Sequence, residues 1–213
     1  MAAPSFYQEV ANMFIQVISG TVTDVDGMER ASQRWDTDLR PGAIGYLGVT
    51  EGVTDDNTFV VLARFESAEA AAKNSARPEQ GEWWAEMENN VKDVTFHGCS
   101  RIETLFGGGK NEATFVQVMQ GRIKDRAKAD AIFARSAEAE KVLGGARPDV
   151  IGEVVAIHDD GDTYTDVVYF TSEQEARANE AKPVPAEAQA MMAEMDEALE
   201  VTDFLDLRRL HLA

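Results

Sequence analysis

Three histidines and one cysteine are the residues of this 213-residue sequence best suited to acid-base or nucleophilic chemistry near neutral pH. His97 and Cys99 stand two residues apart in a strand-like segment, so their side chains are predicted to share one face. A metal centre would need two further ligands at a recognisable spacing, which the sequence lacks, and no metal is predicted. The simpler interpretation of His97 is a hydrogen-bonded strand residue near the rim of the fold.

The other two histidines also have simple interpretations. His158 precedes the acidic turn 159–162, which lacks the ligand spacing and the final glutamate of a calcium-binding loop. It is therefore predicted to lie in a solvent-exposed loop. His211, near the end of the sequence, is predicted to lie on the surface or to pack in the last strand.

Two tryptophans and two asparagines are candidates for a ligand pocket. Trp83 and Trp84 are adjacent in a predicted helix, so their side chains point about 100 degrees apart and only one can face the core. Asn74 and Asn179 each stand shortly before a proline. Either asparagine could hydrogen-bond a ligand carbonyl or phenol, or cap the broken helix, and their recurrence favours the structural role.

An internal repeat provides the framework for these residues. Segment 14–20 reads FIQVISG and returns at 115–121 as FVQVMQG, and further short matches follow in the same order. The offset between the copies stays between 101 and 108 residues, so only short insertions separate them. An ordered set of matches at nearly one spacing indicates a tandem duplication.

Each copy shows the same succession of periodic segments. We predict the elements of copy one as strand 14–22, helix 24–39 capped by Asp24, strands 44–53 and 58–65, a helix from Ser67 that breaks at Pro78, and strand 94–105. We predict those of copy two as strand 115–123, helix 126–143, strands 150–157 and 163–170, broken helices over 172–199 with a capping box at Ser172 and Glu175, and strand 203–212.

The order β-α-β-β-α-β is that of a ferredoxin-like unit, in which both helices cover one face of an antiparallel sheet. Phe14–Ile18 and Phe59–Leu62 are nearly continuously apolar, so the other sheet face also needs a cover, which the second copy can provide. We therefore predict an α+β fold of two tandem ferredoxin-like repeats packed sheet to sheet as an intramolecular pseudo-two-fold α+β barrel. The predicted limits are 1–106 (core 14–105), a glycine-rich linker at 107–111, and 112–213 (core 115–212).

Charge and composition exclude several classes of protein. The chain has 20 Lys and Arg against 38 Asp and Glu, a formal net charge of −18, which opposes binding to nucleic acid or anionic membranes. No apolar stretch is long enough to cross a bilayer, and Met1–Glu9 does not resemble a signal peptide. A single cysteine excludes an internal disulfide. These features predict a soluble, acidic, cytoplasmic protein that binds neither nucleic acid nor membrane.

The motifs around the second helix of copy one resemble those of a known superfamily. Ala63–Ser67 reads ARFES, segment 70–75 reads AAAKNS, and Arg77–Glu79 leads to the tryptophan pair. On these residues copy one resembles the dimeric α+β barrel superfamily, and within it the antibiotic-biosynthesis monooxygenase-like proteins. Copy two resembles them with fewer matches. The resemblance implies this fold. The activities of the superfamily include oxygenation of aromatic polyketides without a cofactor, haem degradation, isomerisation and decarboxylation, and some members have no known reaction.

The haem-degrading branch of that superfamily uses an asparagine on the first strand and a histidine from the second helix. Here the first strand offers Gln16 and Ser19, and neither second helix contains a histidine. The resemblance therefore implies that no cofactor is expected, with haem and flavin kept as alternatives.

The two copies differ most in their polar and aromatic residues, which are concentrated in copy one. We therefore predict a ligand pocket there, between the first sheet and the broken second helix. Asn74 and His97 are its predicted polar anchors and Trp84 its apolar wall, and Tyr46 and Arg64 complete the predicted set. No catalytic residue is assigned.

Two functions are compatible with these observations. The first is a small-molecule enzyme resembling the cofactor-independent antibiotic-biosynthesis monooxygenases, in which the pocket desolvates a phenolic or polyketide-like substrate and a polar residue takes its proton. The alternative is a non-catalytic small-molecule-binding or interaction protein of the same fold. Because the duplication supplies internally the partner that single-copy relatives obtain by dimerising, the chain is predicted to be a monomer, with further assembly left open.

Overall fold

The first repeat has the predicted order of elements. A computed structural model describes residues 13–213, and Met1–Glu9, predicted not to be a signal peptide, lies outside the described residues. The elements are β1 (Phe14–Val22), α1 (Val25–Arg34), β2 (Tyr46–Val53), β3 (Thr58–Phe65), α2 (Ala68–Ser75), α3 (Pro78–Met87) and β4 (Val91–Cys99). A π-helical turn, Trp35–Leu39, and a 3-10 turn, Arg40–Gly42, follow α1.

The rest of the chain repeats this order. Its elements are β5 (Arg101–Leu105), β6 (Phe115–Ile123), α4 (Arg126–Phe133), α5 (Ser136–Ala146), β7 (Val150–Ile157), β8 (Thr163–Phe170), α6 (Glu173–Glu180), α7 (Ala186–Ala198), β9 (Leu199–Leu207) and β10 (His211–Leu212). The predicted α+β fold of two tandem ferredoxin-like repeats is thereby confirmed. The packing of the two sheets into a barrel stays a prediction.

The strands form two five-stranded sheets, in each of which four strands of one repeat are joined by a short edge strand from the end of the other. The strand order is β10-β2-β3-β1-β4 in the first and β5-β7-β8-β6-β9 in the second, and the pairings within β1–β4 and within β6–β9 are antiparallel. The single strands predicted over 94–105 and 203–212 are therefore wrong at their ends. The final part of each segment forms a separate strand: β5 pairs with β7, and β10 pairs with β2. Without these partners, the outer edges of β7 and β2 would expose unpaired backbone groups.

The described residues form two compact units. One contains residues 13–102 together with His211–Ala213, and the other contains residues 103–210. The predicted limits of the repeats and of the linker stay a prediction. The longest described helix, α7, has 13 residues, and none of the described helices has the length and apolar content to cross a membrane.

Side-chain caps fix the starts of helices as predicted. Asp24 Oδ1 accepts a hydrogen bond of 3.0 Å from the Gly27 amide at the start of α1. At the start of α6, Ser172 Oγ accepts one of 3.2 Å from the Glu175 amide. These acceptors satisfy amide groups that the first helical turn leaves without an intrahelical partner.

The predicted break in the second helix is also confirmed. α2 ends at Ser75, and α3 begins with Pro78 at its first position, where the missing proline N–H costs no helical bond. The first helix is shorter than the predicted 24–39, because the chain after Arg34 widens into the π-helical turn. Its counterpart in the second repeat is divided into α4 and α5.

Backbone pairing holds β10 on the edge of the first sheet. His211 lies opposite Glu51. Val49 and Ala213 exchange two backbone hydrogen bonds, of 2.7 and 3.1 Å. This short strand therefore has a defined register on β2 although it lies more than 150 residues away in the sequence.

Two further residues favour this pairing. The Arg64 guanidinium donates to the Ala213 carbonyl at 3.0 Å and to Thr50 Oγ1 at 2.9 Å. Gly48 has φ of +146°, and a Cβ added there would lie 2.2 Å from the Ala213 carbonyl oxygen. Only glycine leaves room for β10 at this position.

We expect Gly48→Ala to displace β10 and to lower the free energy of unfolding by about 1–3 kcal/mol, because the new Cβ meets backbone and the φ angle is strained. Gly81→Ala is the matched control, since an added Cβ at this α3 position meets nothing within 4 Å. The control should raise stability by about 0.5–1 kcal/mol. Urea unfolding measures both changes, and equal stability of Gly48→Ala and the wild type would contradict the assigned pairing.

Candidate functional site

A cavity of about 100 Å³ lies between the first sheet and its helices. Strands β1, β2, β3 and β10 form one side, and α1, the π-helical turn, α2 and α3 form the other. Four aromatic residues line it, Trp35, Tyr46, Phe65 and Trp83, and its polar lining includes Gln16, Ser32, Glu51, Asn74 and His211. The cavity lies where the ligand pocket was predicted, beside the broken second helix.

His211 lines this cavity and pairs with Asp36, which is not among the lining residues. Its Nε2 lies 2.9 Å from Asp36 Oδ2, and its Nδ1 lies 3.7 Å from Glu51 Oε2. Because a carboxylate oxygen only accepts, Nε2 carries the hydrogen in the neutral ring. Nδ1 is then the nitrogen that can take up a proton. Ser32 Oγ donates to Glu51 Oε1 at 2.8 Å and holds that carboxylate in place.

The surroundings of His211 raise its pKa above the ordinary value of 6.5. The interaction with Glu51 is the largest cause, and the negative charges of Glu51 and Asp36 add to it. Partial burial of the ring and the positive charge of Arg40 act in the opposite direction. The imidazole is therefore a stronger base than a free one.

Tyr46 presents a hydrogen-bond donor without a partner. Its hydroxyl is buried and makes no hydrogen bond within residues 13–213. The ring packs 4.7 Å from the Trp35 ring and 5.9 Å from the Phe65 ring, centroid to centroid. Burial raises the pKa of Tyr46 to about 12, so the hydroxyl keeps its proton near neutral pH. It is available to donate to an oxygen of a bound ligand.

The tryptophans of the cavity have satisfied N–H groups. Trp35 Nε1 donates to Gln80 Oε1 at 2.9 Å, and Trp83 Nε1 donates to the Ala31 carbonyl at 2.8 Å. Their rings are thereby fixed and contribute apolar surface to the lining. The π-helical turn carries both Trp35 and Asp36, and such turns are frequent at functional sites.

Two of the five predicted pocket residues, Tyr46 and Asn74, line the cavity. Asn74 is 3% exposed, and its Oδ1 accepts from the Ile44 amide at 3.1 Å and from Arg77 Nη1 at 3.0 Å. These bonds tie the end of α2 to the segment before β2. Asn74 therefore has the structural role that the matching asparagine in copy two favours, and it also lines the cavity.

The other three predicted residues, Trp84, Arg64 and His97, are not part of the lining. Trp84 packs edge-on against Phe96, with ring centroids 5.2 Å apart, and its neighbour Trp83 takes the cavity position. Both tryptophans are half-buried and pack against the buried cluster around Phe59, so the expectation that only one of them can face the core is wrong. A ligand-binding role for these three side chains stays a prediction.

Strand alternation places Arg64 and His97 on the opposite face of the first sheet. Arg64 lies between two lining residues of β3, Ala63 and Phe65. His97 pairs with Val17, the residue before the lining residue Ile18. Successive strand side chains point to opposite faces, so neither Arg64 nor His97 faces the helices.

His158 is buried, so the prediction that it lies in a solvent-exposed loop is wrong. It is 5% exposed, and its Nδ1 and Nε2 lie 2.7 and 2.9 Å from the hydroxyls of Thr163 and Thr165. The acidic turn that follows suggested an exposed loop, but the residue directly follows the end of β7 and still faces β8. Both ring nitrogens are occupied within the sheet.

A second cavity, of about 140 Å³, lies in the second repeat. It lies between the second sheet and α4, α5 and α7. Glu153 of β7 and Asp166 of β8 both line it. Asp166 pairs with Val155, two residues beyond Glu153, so the two carboxyl groups share one face as diagonal neighbours.

Burial raises the pKa of both carboxyl groups in the second cavity. The pKa of Glu153 rises to about 7, through burial and then the negative charge of Glu140. The pKa of Asp166 rises well above its ordinary value, through burial and then the charge of Glu153, against a hydrogen bond from the Val167 amide. The pair therefore retains a proton at pH values at which exposed carboxyl groups are ionised.

Sequence reasoning missed the polar groups of both cavities. Predicted strands that are otherwise uncharged contain Glu51, Glu153 and Asp166. Because charged residues are rarely buried without a partner, these three positions could have been predicted as candidate site residues. Strand pairing makes Val49 of the first repeat the counterpart of Glu153 in the second. Polar residues are thus not confined to copy one, as its richer aromatic content suggested.

Solved structures share the fold over nearly the whole chain. A candidate monooxygenase from Lactobacillus acidophilus NCFM is 14% identical, with a TM-score of 0.69 over 95% of this chain and 96% of its own. A candidate monooxygenase from Fusobacterium nucleatum subsp. nucleatum ATCC 25586 is 8% identical, with a TM-score of 0.71 over 94% of both chains. An anthrone oxidase-like protein is 12% identical, with a TM-score of 0.68 over 95% of this chain and 94% of its own.

No protein-family model and no curated protein matches the sequence. The solved structures therefore carry the comparison, and at these identities they establish the fold. They have the tandem fold that the predicted resemblance to antibiotic-biosynthesis monooxygenase-like proteins implies.

We expect Glu51→Gln to lower the pKa of His211, because it removes the largest cause of the increase. Titration of the histidine ring signals by NMR measures the change.

Since the pKa of His211 is raised by folding, its ion pairs stabilise the protein fully below about pH 6.5 and lose this effect as the pH rises through the folded-state pKa. Glu51→Gln should therefore reduce stability more at pH 6 than at pH 9. The exposed control Glu69→Gln should leave the His211 signal in place, and an unchanged titration in Glu51→Gln would contradict the assigned contact.

We expect Glu153→Gln to stabilise the protein at pH 8, because a carboxyl group whose pKa rises from 4.5 to about 7 on folding opposes folding once it ionises. The penalty grows as the pH rises from about 4.5 to 7 and is absent below this range. The gain at pH 8 should be on the order of 3 kcal/mol and should vanish near pH 4. Urea unfolding across this range measures it, with the exposed Glu187→Gln as control. A pH-independent difference would show that the Glu153 carboxyl is not the source.

Proposed function

We propose that the protein is a small-molecule oxygenase that acts without a cofactor on a phenolic or polyketide-like substrate in the first-repeat cavity. The observation that carries the proposal is that His211, which lines an aromatic cavity, pairs with Asp36 at 2.9 Å. The fold likeness to candidate monooxygenases and to an anthrone oxidase-like protein supports this reaction class. Four aromatic rings suit one end of a flat aromatic substrate, the rest of which would lie at the opening of this cavity of about 100 Å³ to solvent.

His211 is the proposed general base. Asp36 orients the ring through Nε2, so Nδ1 can accept a proton from an acidic hydroxyl or an activated methylene group. The imidazolium that forms is stabilised by two negative charges, on Asp36 and on Glu51. The same two charges disfavour binding of a substrate that is already anionic. The substrate is therefore proposed to bind in its neutral form and to lose its proton in the cavity.

Tyr46 is the proposed donor to the oxygen that becomes negative. Its hydroxyl has no other partner among the described residues, and it keeps its own proton because its pKa is about 12. A donor fixed by ring packing against Trp35 needs little reorganisation when charge develops. In an apolar cavity this hydrogen bond is stronger than it would be in water.

The substrate carbanion or phenolate can supply the electrons for the oxygenation. For a methylene group flanked by aromatic rings, the balanced reaction converts CH2 and O2 into C=O and water. One oxygen atom enters the substrate, the other leaves as water, and all four electrons come from the substrate. In this scheme the chain has to remove a proton, stabilise the anion and limit the access of water.

The activity is tested by oxygen consumption with anthrone, measured against its rate of oxidation without protein. His211→Gln should lower kcat about 10²–10⁴-fold, the range for a lost general base. Tyr46→Phe should lower it by up to about 10³-fold. The wild-type rate should rise with pH through the pKa of His211, because only the neutral ring accepts a proton.

His97→Gln is the matched control for this experiment, since this histidine lies on the opposite face of the same sheet. It should keep the wild-type rate. Equal loss in His97→Gln, or full activity in His211→Gln, would contradict the assignment of the base. Tight binding of anthrone without oxygen consumption above the background would favour the non-catalytic binding protein instead.

We also propose that the protein is cytoplasmic and works as a monomer. The two repeats of one chain supply the pair of ferredoxin-like units that single-copy relatives obtain by dimerising, and a single cysteine cannot form an internal disulfide, as suits a reducing compartment. A mass near 23.3 kDa in gel filtration supports the monomer, and twice that mass contradicts it.

A further inference from the structure

The second-repeat cavity differs from the first in having no histidine in its lining and a largely aliphatic wall. Its volume of about 140 Å³ is close to the roughly 150 Å³ of an engineered cavity that accepts benzene. The apolar lining includes Met119, Phe133, Leu143, Met191, Met195 and Val201. Methionine side chains adapt their shape to a ligand. The cavity can thus hold one aromatic ring or a short aliphatic chain.

The charged residues of this lining are all acidic. They are Glu103 from β5, Glu153 from β7, Asp166 from β8 and Asp196 from α7. Glu140 of α5 adds a further negative charge near Glu153, and the charged groups of the lining include no lysine, arginine or histidine. Whatever binds here meets negative charge on several sides.

Asp166 is a buried carboxyl group with one oxygen that lacks a hydrogen-bond donor among the described residues. It is 6% exposed, it lines the cavity, and its Oδ1 has no hydrogen-bond partner among the described residues. An unpaired buried carboxyl oxygen costs free energy that a donor from a ligand would restore. Glu153 lies on the same face of the sheet, so one donor group can reach toward both carboxyl groups.

We propose that the second-repeat cavity binds a small organic ammonium ion, with its charged nitrogen between Glu153 and Asp166 and its apolar body against the methionine and phenylalanine side chains. An ammonium group supplies three donors and a positive charge, which match two carboxylates and the free Oδ1. The apolar wall favours an organic cation over a hydrated metal ion. This site is separate from the proposed oxygenase site and does not depend on it.

Binding of the cation is coupled to loss of a proton. Two carboxyl groups in an apolar cavity do not both ionise readily, whereas a bound cation stabilises both charges. The ammonium ion should therefore release the retained proton when it binds. Its affinity should rise with pH between 6 and 8, while a neutral ligand of the same shape should show no such increase.

The test uses calorimetric titration of the full chain with 2-phenylethylammonium, and with 2-phenylethanol as its neutral counterpart. We expect the Kd of the ammonium ion to fall about tenfold or more from pH 6 to pH 8, with proton release visible in buffers of different ionisation enthalpy. Asp166→Asn and Glu153→Gln should each weaken binding at pH 8 about tenfold or more. The double variant should abolish it.

Matched controls separate this proposal from the oxygenase assignment. His211→Gln and Glu51→Gln change the first repeat and should leave ammonium binding unchanged, even where the former loses oxygen consumption. Equal affinity for the alcohol, a pH-independent Kd, or full binding by the double variant would overturn the proposal. Displacement of the ammonium ion by millimolar Ca²⁺ would instead assign the carboxyl pair to a metal. Urea unfolding verifies that each variant is folded.

Discussion

The pairing of β10 with β2 is the interaction on which the first-repeat site depends. It brings His211 from the far end of the sequence to a position opposite Glu51 and within 2.9 Å of Asp36. Without the imidazole, Asp36 and Glu51 would both lose this partner, and the Glu51 carboxylate would remain in the lining of the cavity. Gly48 and Arg64 both contribute to this pairing, one by leaving space and the other by donating to the Ala213 carbonyl. Arg64 is thus a positioning residue on the opposite face of the sheet.

The two repeats have the same order of elements, but their cavities place charged groups on different strands. In the first, Glu51 faces Val61 across β2 and β3; in the second, the equivalent pair is Val155 and Asp166. The carboxyl group has thus changed strands between the copies. The first repeat balances its acidic groups with His211 and Arg40, whereas the second leaves them to share a proton. Acidic groups on the same pair of strands are therefore proposed to assist proton transfer in one cavity and to bind a cation in the other.

Local pattern was sufficient to predict most of the fold. Strand periodicity gave β1, β3, β6, β7 and β8 with their observed ends, because an apolar strand buried on a sheet has a clear composition. Asp24 and Pro78 marked helix starts through hydrogen bonding that depends on a few neighbouring residues. The ends of β4 and β9 were wrong, because the choice of partner for a short edge strand depends on distant backbone groups rather than on local sequence.

The candidate site could be predicted only in part for the same reason. Its location beside the broken helix, and Tyr46 and Asn74 as lining residues, followed from the repeat and its differences. The sequence favours His97 over His211 because His97 belongs to copy one, where polar and aromatic residues are concentrated. A shift of one residue along a strand, however, moves a side chain to the other face of the sheet. Nothing local to residues 211 and 212 predicts that they form a strand on the first sheet.

A crystal structure with a bound one-ring phenol tests the central claim most directly, namely that His211 on β10 and Tyr46 form the substrate-binding chemistry of the first repeat. The account predicts the phenol oxygen within about 2.6–3.2 Å of Tyr46 Oη or His211 Nδ1, with the ring against Trp35 or Trp83. A phenol bound only in the second-repeat cavity, or on the opposite face of the first sheet beside His97, would contradict it.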